Sequence, residues 1–179
     1  YRTYRLPITI FRFALTVAAD EILDFAQFRL SHWVRGYEGM RGDAASQTRQ
    51  QLLGLWKGEE RLLIARDENG RSYQKHIADA SDIVLGFLSA LNQPAAFGET
   101  FQLAAPKPFT WEETIPYLAE KLGMDYVDVR LAGSVPTYYE FDLSKGKRLI
   151  GYQPQMDIFK MIDAALAFRH GKTTGVIPT

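Results

Sequence analysis

The chain has 179 residues, no cysteine, and 21 basic against 21 acidic side chains. Without cysteine there is no disulfide scaffold and no thiolate metal site. Zero formal charge removes the broad positive footprint of a nucleic-acid or anionic-membrane binder. Hydrophobic residues at 46% and charged residues at 23% are close to globular averages, which excludes a disordered chain. No apolar run reaches the ~20 residues that span a bilayer, and the start, Tyr1 to Arg5, has neither an initiator Met nor the apolar core of a signal peptide. The expectation is a soluble cytoplasmic protein.

Leu6 to Ala14 reads as a strand rich in β-branched and aromatic residues, with Pro7 at its start. Tyr1 to Tyr4 reads as the last turn of a helix, so the chain is expected to begin inside a structure. Residues 20–34 place Ile22, Phe25, Ala26, Phe28 and Trp33 at helical spacing. Gly36, Gly39 and Gly42 form a turn, and Asp43 is a cap for a helix over 44–56, with Leu52, Leu53 and Trp56 as its stripe. Residues 60–65 read as a strand, Asp67 to Gly70 as a hairpin turn, and 71–77 as the returning strand.

A helix over 79–91 carries Ile83, Val84, Phe87, Leu88 and Leu91 on one face. Residues 99–103 are a short strand. Thr110 and Glu113 fit a capping box for a helix over 111–122; Pro116 inside it suggests a kink or a later start, and Gly123 a left-handed end. A strand over 126–131, a short helix over 144–150 stopped by Gly151, and a helix capped by Asp157 and running to Arg169 complete the pattern. The sum is an α/β protein with a small mixed sheet and flanking helices.

Four stretches carry a more specific signal. His76 to Val84 resembles the "H-V-x-D-V" strand-to-helix step of the extended short-chain dehydrogenases/reductases, the NAD-dependent epimerase/dehydratase family. Gly98 to Leu103 is similar to that family's "G-E-x-F-N-I", Thr110 to Glu113 to its "S/T-x-x-E", and Asp142 to Pro154 to its "D-x-S-K-A-R-R-L-L-G-W-x-P". Leu6 to Phe13 resembles "L-P-V-T-I-L-R-F". The resemblance covers only the C-terminal portion of a family member. It implies that residues 1–19 are the last strand of a Rossmann-type sheet with its exit loop, and 20–179 the substrate-binding region.

The family's glycine fingerprint and Y-x-x-x-K lie outside this match, so no catalytic residue is assigned. NAD or NADP is expected in the parent enzyme, held by a missing N-terminal Rossmann part, with none bound tightly by this chain alone. Phe13, Leu15 and Thr16 are the expected cofactor-proximal residues. Gly36 to Gly42 has G-x-x-G-x-x-G spacing, but no apolar strand leads into it, which favours a loop over the substrate cleft. Tyr1 and Arg5 have the spacing of Y-x-x-x-K without its lysine.

Arg71, Lys75, His76 and Arg130 are the candidate substrate-binding residues. In nucleotide-sugar members of the family, arginines at two similar points hold the diphosphate, and the guanidinium fork suits phosphate oxygens; here both matches slip by about one residue. The residues themselves favour His76 ending a strand and hydrogen-bonding locally, with Asp79 capping the helix. His76, Asp79 and Asp82 make a metal site conceivable, but none is assigned.

Leu15-Thr16-Val17 stands where nucleotide-sugar enzymes usually read "N-V-Y-G-P". The implied function is the substrate-binding portion of an NAD(P)-dependent sugar-nucleotide epimerase/dehydratase-like enzyme. The alternatives are a non-catalytic binding or regulatory module on the same scaffold, or a reductase of a non-sugar substrate. Expected partners are a small-molecule substrate, the Rossmann part and a second copy in a homodimer.

Overall fold

The computed structural model describes residues 6–172. In chain order the elements begin with β1 (Ile10–Phe13), β2 (Thr16–Val17), α1 (Leu30–Glu38), α2 (Asp43–Leu55), β3 (Leu62–Arg66), β4 (Gln74–Lys75), β5 (Ala78–Asp79) and α3 (Ala80–Ala90). They continue with β6 (Thr100–Leu103), β7 (Phe109–Thr110), α4 (Trp111–Leu122), β8 (Tyr126–Arg130), α5 (Ser144–Ile150) and α6 (Ile158–Arg169). Two compact units share the chain. One takes the described residues up to Ile22, then His76–Pro108 and Tyr139 onward; the other takes Leu23–Lys75 and Phe109–Tyr138. The expected helical turn at Tyr1 to Tyr4, and most of the tail after Gly171, lie outside the described residues.

In the first unit β1 pairs in parallel with β6, from Ile10 opposite Thr100 to Phe13 opposite Leu103. β2 pairs in parallel with β5. The strand expected over 6–14 is confined to 10–13. Phe101, Leu103 and Ala104 form the centre of a core completed by Ile83, Leu143, Ile150 and Tyr152. The Tyr152 hydroxyl donates to the Ala104 carbonyl at 2.9 Å, which satisfies the one polar atom of a fully buried ring. Asp79 caps α3 by accepting from the Ser81 amide at 2.8 Å. Asp82, one turn on, accepts from the amides of Gln155 and Met156 at 2.7 and 2.9 Å and so fixes the approach to α6.

The face of α3 departs from its sequence pattern. Ile83 is buried, yet Val84, Phe87, Leu88 and Leu91 are 44%, 48%, 61% and 65% exposed. The buried side is Asp82, Ile83, Gly86 and Ala90. The reason is close approach: a Cβ on Gly86 would stand 2.6 Å from Leu103 Cδ1, so only the small-residue side of the helix fits against β6.

In the second unit β3, buried along four of its five residues, pairs in parallel with β8. The α4 capping box is complete: the Thr110 hydroxyl accepts from the Glu113 amide, and the Glu113 carboxylate accepts from the Thr110 amide. The helix starts at Trp111 with Pro116 inside it, so the later start is not seen. Gly123 ends it at φ 63°.

The helix expected over 20–34 is instead two 3₁₀ turns, Glu21–Asp24 and Ala26–Phe28, followed by α1. Apolar spacing of three suits a 3₁₀ turn as well as an α-helix, and Phe25 and Phe28 meet edge to face at 4.9 Å. Arg29 then turns extended and bridges to Leu62, which resets the chain before α1. Gly36 falls inside α1, so only residues 39–42 of the glycine spacing form the connection to α2. Asp43 is the first residue of α2 rather than its cap, Gly42 preceding it at φ 105°. Leu53 is exposed, and Ala45, Thr48 and Leu52 are buried in its place.

Candidate functional site

Arg71, Lys75 and Arg130 belong to the second unit; His76, Phe13, Leu15 and Thr16 belong to the first. Arg71 and Arg130 come together around the Asp67–Gly70 turn. Gly70 adopts φ 84°, a conformation glycine accepts without strain, and its amide donates to the Asp67 carbonyl at 3.0 Å. The Asp67 carboxylate accepts from the amides of Asn69 and Arg71 at 2.9 and 2.8 Å. Its other oxygen accepts from the Tyr138 hydroxyl at 2.5 Å.

That hydroxyl, and then the turn amides, hold the Asp67 carboxyl below its usual range. Burial, and then Asp67, push Tyr138 up to about 12. The Arg71 guanidinium lies 3.9 Å from the centroid of the Tyr138 ring, close enough for a cation–π contact. The Arg130 guanidinium lies along Gly70, 3.5 Å from where a Cβ would stand. Parallel register puts Arg130 opposite Arg66, whose own guanidinium is taken by Asp128 and Glu112 at 2.8 and 2.6 Å. Two arginine forks thus flank one turn, and among the described residues neither makes an ion pair. A cavity of about 270 Å³ opens beside the turn, lined by Asp67, Glu68, Asn69, Ser134 and Pro136.

Lys75 lies two residues beyond Tyr73, on the same side of the chain by strand alternation. It is 8% exposed, and its ammonium sits 5.4 Å from the Phe25 ring centroid. Burial lowers its pKa.

His76 is fully enclosed at 1% exposure. Nε2 donates to the Ala105 carbonyl at 2.7 Å, and Nδ1 accepts from the Phe141 amide at 3.0 Å. Those partners define the neutral Nε2–H tautomer. Burial lowers its pKa further than Ala105 and Glu140 raise it, with Lys147 adding to the lowering. Its bonds are tertiary, to chain 29 and 65 residues away, where the sequence suggested local ones. The ring also borders a cavity of about 490 Å³ with Pro106, Glu140, Asp142, Ser144 and Lys147. Among the described residues no three His, Asp or Glu side chains gather as a metal group.

Phe13 and Leu15 are each 51% exposed at the end of β1 and just beyond it. The Thr16 hydroxyl donates to the Ala14 carbonyl at 3.1 Å, at the start of β2. Tyr138 and Asp67 are the participants the sequence undervalued. Tyr138 is one of nine tyrosines in the sequence, and Asp67 reads only as a turn residue.

No family model and no curated protein matches the chain. Solved structures do. A short-chain dehydrogenase/reductase superfamily protein from Agrobacterium tumefaciens with bound NAD matches 95% of this chain and 52% of its own, at 28% identity and a TM-score of 0.80. The fold is that of the extended short-chain dehydrogenases/reductases. UDP-glucuronic acid 4-epimerase from Bacillus cereus, in complex with UDP-glucuronic acid and NAD, aligns over 95% of this chain and 47% of its own at 17% identity and a TM-score of 0.57. dTDP-glucose 4,6-dehydratase from Bacillus anthracis, in complex with NAD, aligns over the same shares at 13% identity and a TM-score of 0.58. The chain spans about half the length of each of these three structures, consistent with a C-terminal part. No helix among the described residues is long and apolar enough to cross a membrane.

Proposed function

We propose that this chain is the substrate-binding portion of a cytoplasmic NAD(P)-dependent epimerase/dehydratase-like enzyme acting on a nucleotide sugar. The observation that carries the reading is the match over 95% of the chain to a short-chain dehydrogenase/reductase structure with bound NAD. Arg71 and Arg130 grip the diphosphate from the two sides of the Gly70 turn. A guanidinium binds phosphate oxygens bidentately, and the Tyr138 ring beneath Arg71 limits the directions its fork can take. Asp67 anchors Tyr138 and the turn, so both forks are held before substrate arrives. His76 ties down backbone from two distant segments, at Ala105 and Phe141, rather than touching substrate through a free nitrogen.

In this reading the dinucleotide cradle does not lie among the described residues of this chain. Its one G-x-x-G-x-x-G spacing runs partly through α1, and no strand leads into it. No catalytic step is therefore assigned to this chain. The cofactor is held by a Rossmann part that docks on the first unit, beside Phe13, Leu15 and Thr16. Three features support that docking. Among the described residues β1 pairs with β6 alone. Ile10 and Phe13 are 53% and 51% exposed, and Val84, Phe87, Leu88 and Leu91 of α3 face outward. A groove of about 360 Å³ between them is lined by Pro7, Thr9, Phe11, Phe87, Leu91 and Phe97.

The test is binding of UDP to the wild-type chain, Arg71→Ala and Arg130→Ala. The reading expects saturable binding that either substitution weakens by about tenfold or more; unchanged affinity in both removes it. A reductase of a non-sugar substrate is the second reading, favoured by the apolar, half-exposed Leu15 where a polar sugar contact is expected.

A further inference from the structure

Lys75 is a buried charge in the second unit. The residue is 8% exposed, and among the described residues its ammonium has no hydrogen bond or ion pair; the Phe25 ring centroid lies 5.4 Å away. Taking an ammonium out of water without a counter-charge is costly, and folded proteins pair such groups. A face of a ring returns only a small part of that loss. The surroundings add positive charge rather than negative. His32 is half-buried, stands edge to face with Trp33 at 5.3 Å, and is held below the usual histidine range by burial and then by the charges of Arg35 and Lys75. The fold therefore sets positive charge beside the Phe25 ring, with Trp33 and Tyr73 packed edge to face at 5.9 Å in the same unit.

We infer that Lys75, with His32 and Arg35 beside it, is an anion subsite for a carboxylate or phosphate on the substrate, distinct from the Arg71–Arg130 pair. The inference rests on the substrate-binding reading above and deepens it: the substrate carries a second anionic group besides any diphosphate. The arriving oxygens replace the water that Lys75 lost on folding. The flat rings give the adjoining part of the substrate an apolar surface to lie on.

The test follows amide and indole shifts by NMR as the chain is titrated with D-glucuronate, glucose 1-phosphate or uncharged glucose at matched ionic strength. The expected result is saturable shifts at residues 32–35 and 75 with one of the two anions and none with glucose. Which anion binds tells a carboxylate site from a phosphate site. Lys75→Met and Lys75→Gln should each weaken that binding by about tenfold or more, whereas Lys75→Arg retains it. Both neutral variants should melt no lower than wild type, because an uncompensated buried charge has been removed. Absence of binding by either anion overturns the inference. So does equal affinity in the neutral variants, or a clear drop in their melting temperature, which would give Lys75 an internal partner. UDP is titrated into the same proteins. Anion binding retained with no UDP binding removes the nucleotide-sugar reading and leaves Lys75 as an anion subsite; the reverse result removes Lys75 alone.

Discussion

Replacing His76 by Phe keeps a ring of similar size against Phe141, whose centroid lies 5.6 Å away, and removes both nitrogens. The Ala105 carbonyl then loses a donor and the Phe141 amide an acceptor. Each orphaned backbone group costs about 1–3 kcal/mol, so the variant should lose ~2–6 kcal/mol at pH 7.5. Acid should have a related effect on the wild type. A second ring proton would put an N–H against the Phe141 N–H, and burial already favours the neutral ring. The folded-state pKa lies below the unfolded value of about 6.5, so the unfolded chain takes up the proton first. This contribution is intact above pH ~6.5, is lost as pH falls below that value, and levels off below the folded-state pKa. Urea denaturation of both proteins at pH 7.5 and 5.5 reads both effects. The stability gap between wild type and His76→Phe should narrow at pH 5.5. Equal stabilities at pH 7.5, or a gap that is the same at both values, would refute the structural role given to His76.

Gly86→Ala should destabilise: helix propensity gains ~1 kcal/mol, but the new methyl meets the buried Leu103 side chain, and overpacking costs ~1–3 kcal/mol. A melting temperature above wild type would show that Leu103 has room. Asp82→Ala should cost ~1–3 kcal/mol by freeing the Gln155 and Met156 amides, and hydrogen exchange at those two amides should rise. The outward residues of α3 and β1 should drive self-association of the isolated chain, with dimerisation through residues 6–14 as one route. Light scattering on wild type and Phe87→Glu/Leu88→Lys checks this; a monomeric wild type contradicts it.

What the sequence revealed and what it hid divide by range. The caps at Asp79, Thr110 and Asp157, the left-handed end at Gly123 and the stop at Gly151 are chemistry between residues a few positions apart, and they form as read. The inward face of α3 depends on how closely Leu103 approaches Gly86, which no helical wheel contains. The 3₁₀ turns before α1 share their spacing with a helix until Arg29 pairs with Leu62. In the site, Arg71 and Arg130 are 59 positions apart and meet only because β8 lies in register with β3. His76 looks like a local strand end because its partners, Ala105 and Phe141, are supplied by distant chain.

The most direct test of the central claim is equilibrium titration of this chain with a UDP-sugar and, separately, with NADH followed by nicotinamide fluorescence. The account predicts saturable UDP-sugar binding that Arg130→Ala weakens, and no tight NADH binding. Tight NADH binding without UDP-sugar binding would contradict it, because the chain would then hold the cofactor and not the substrate.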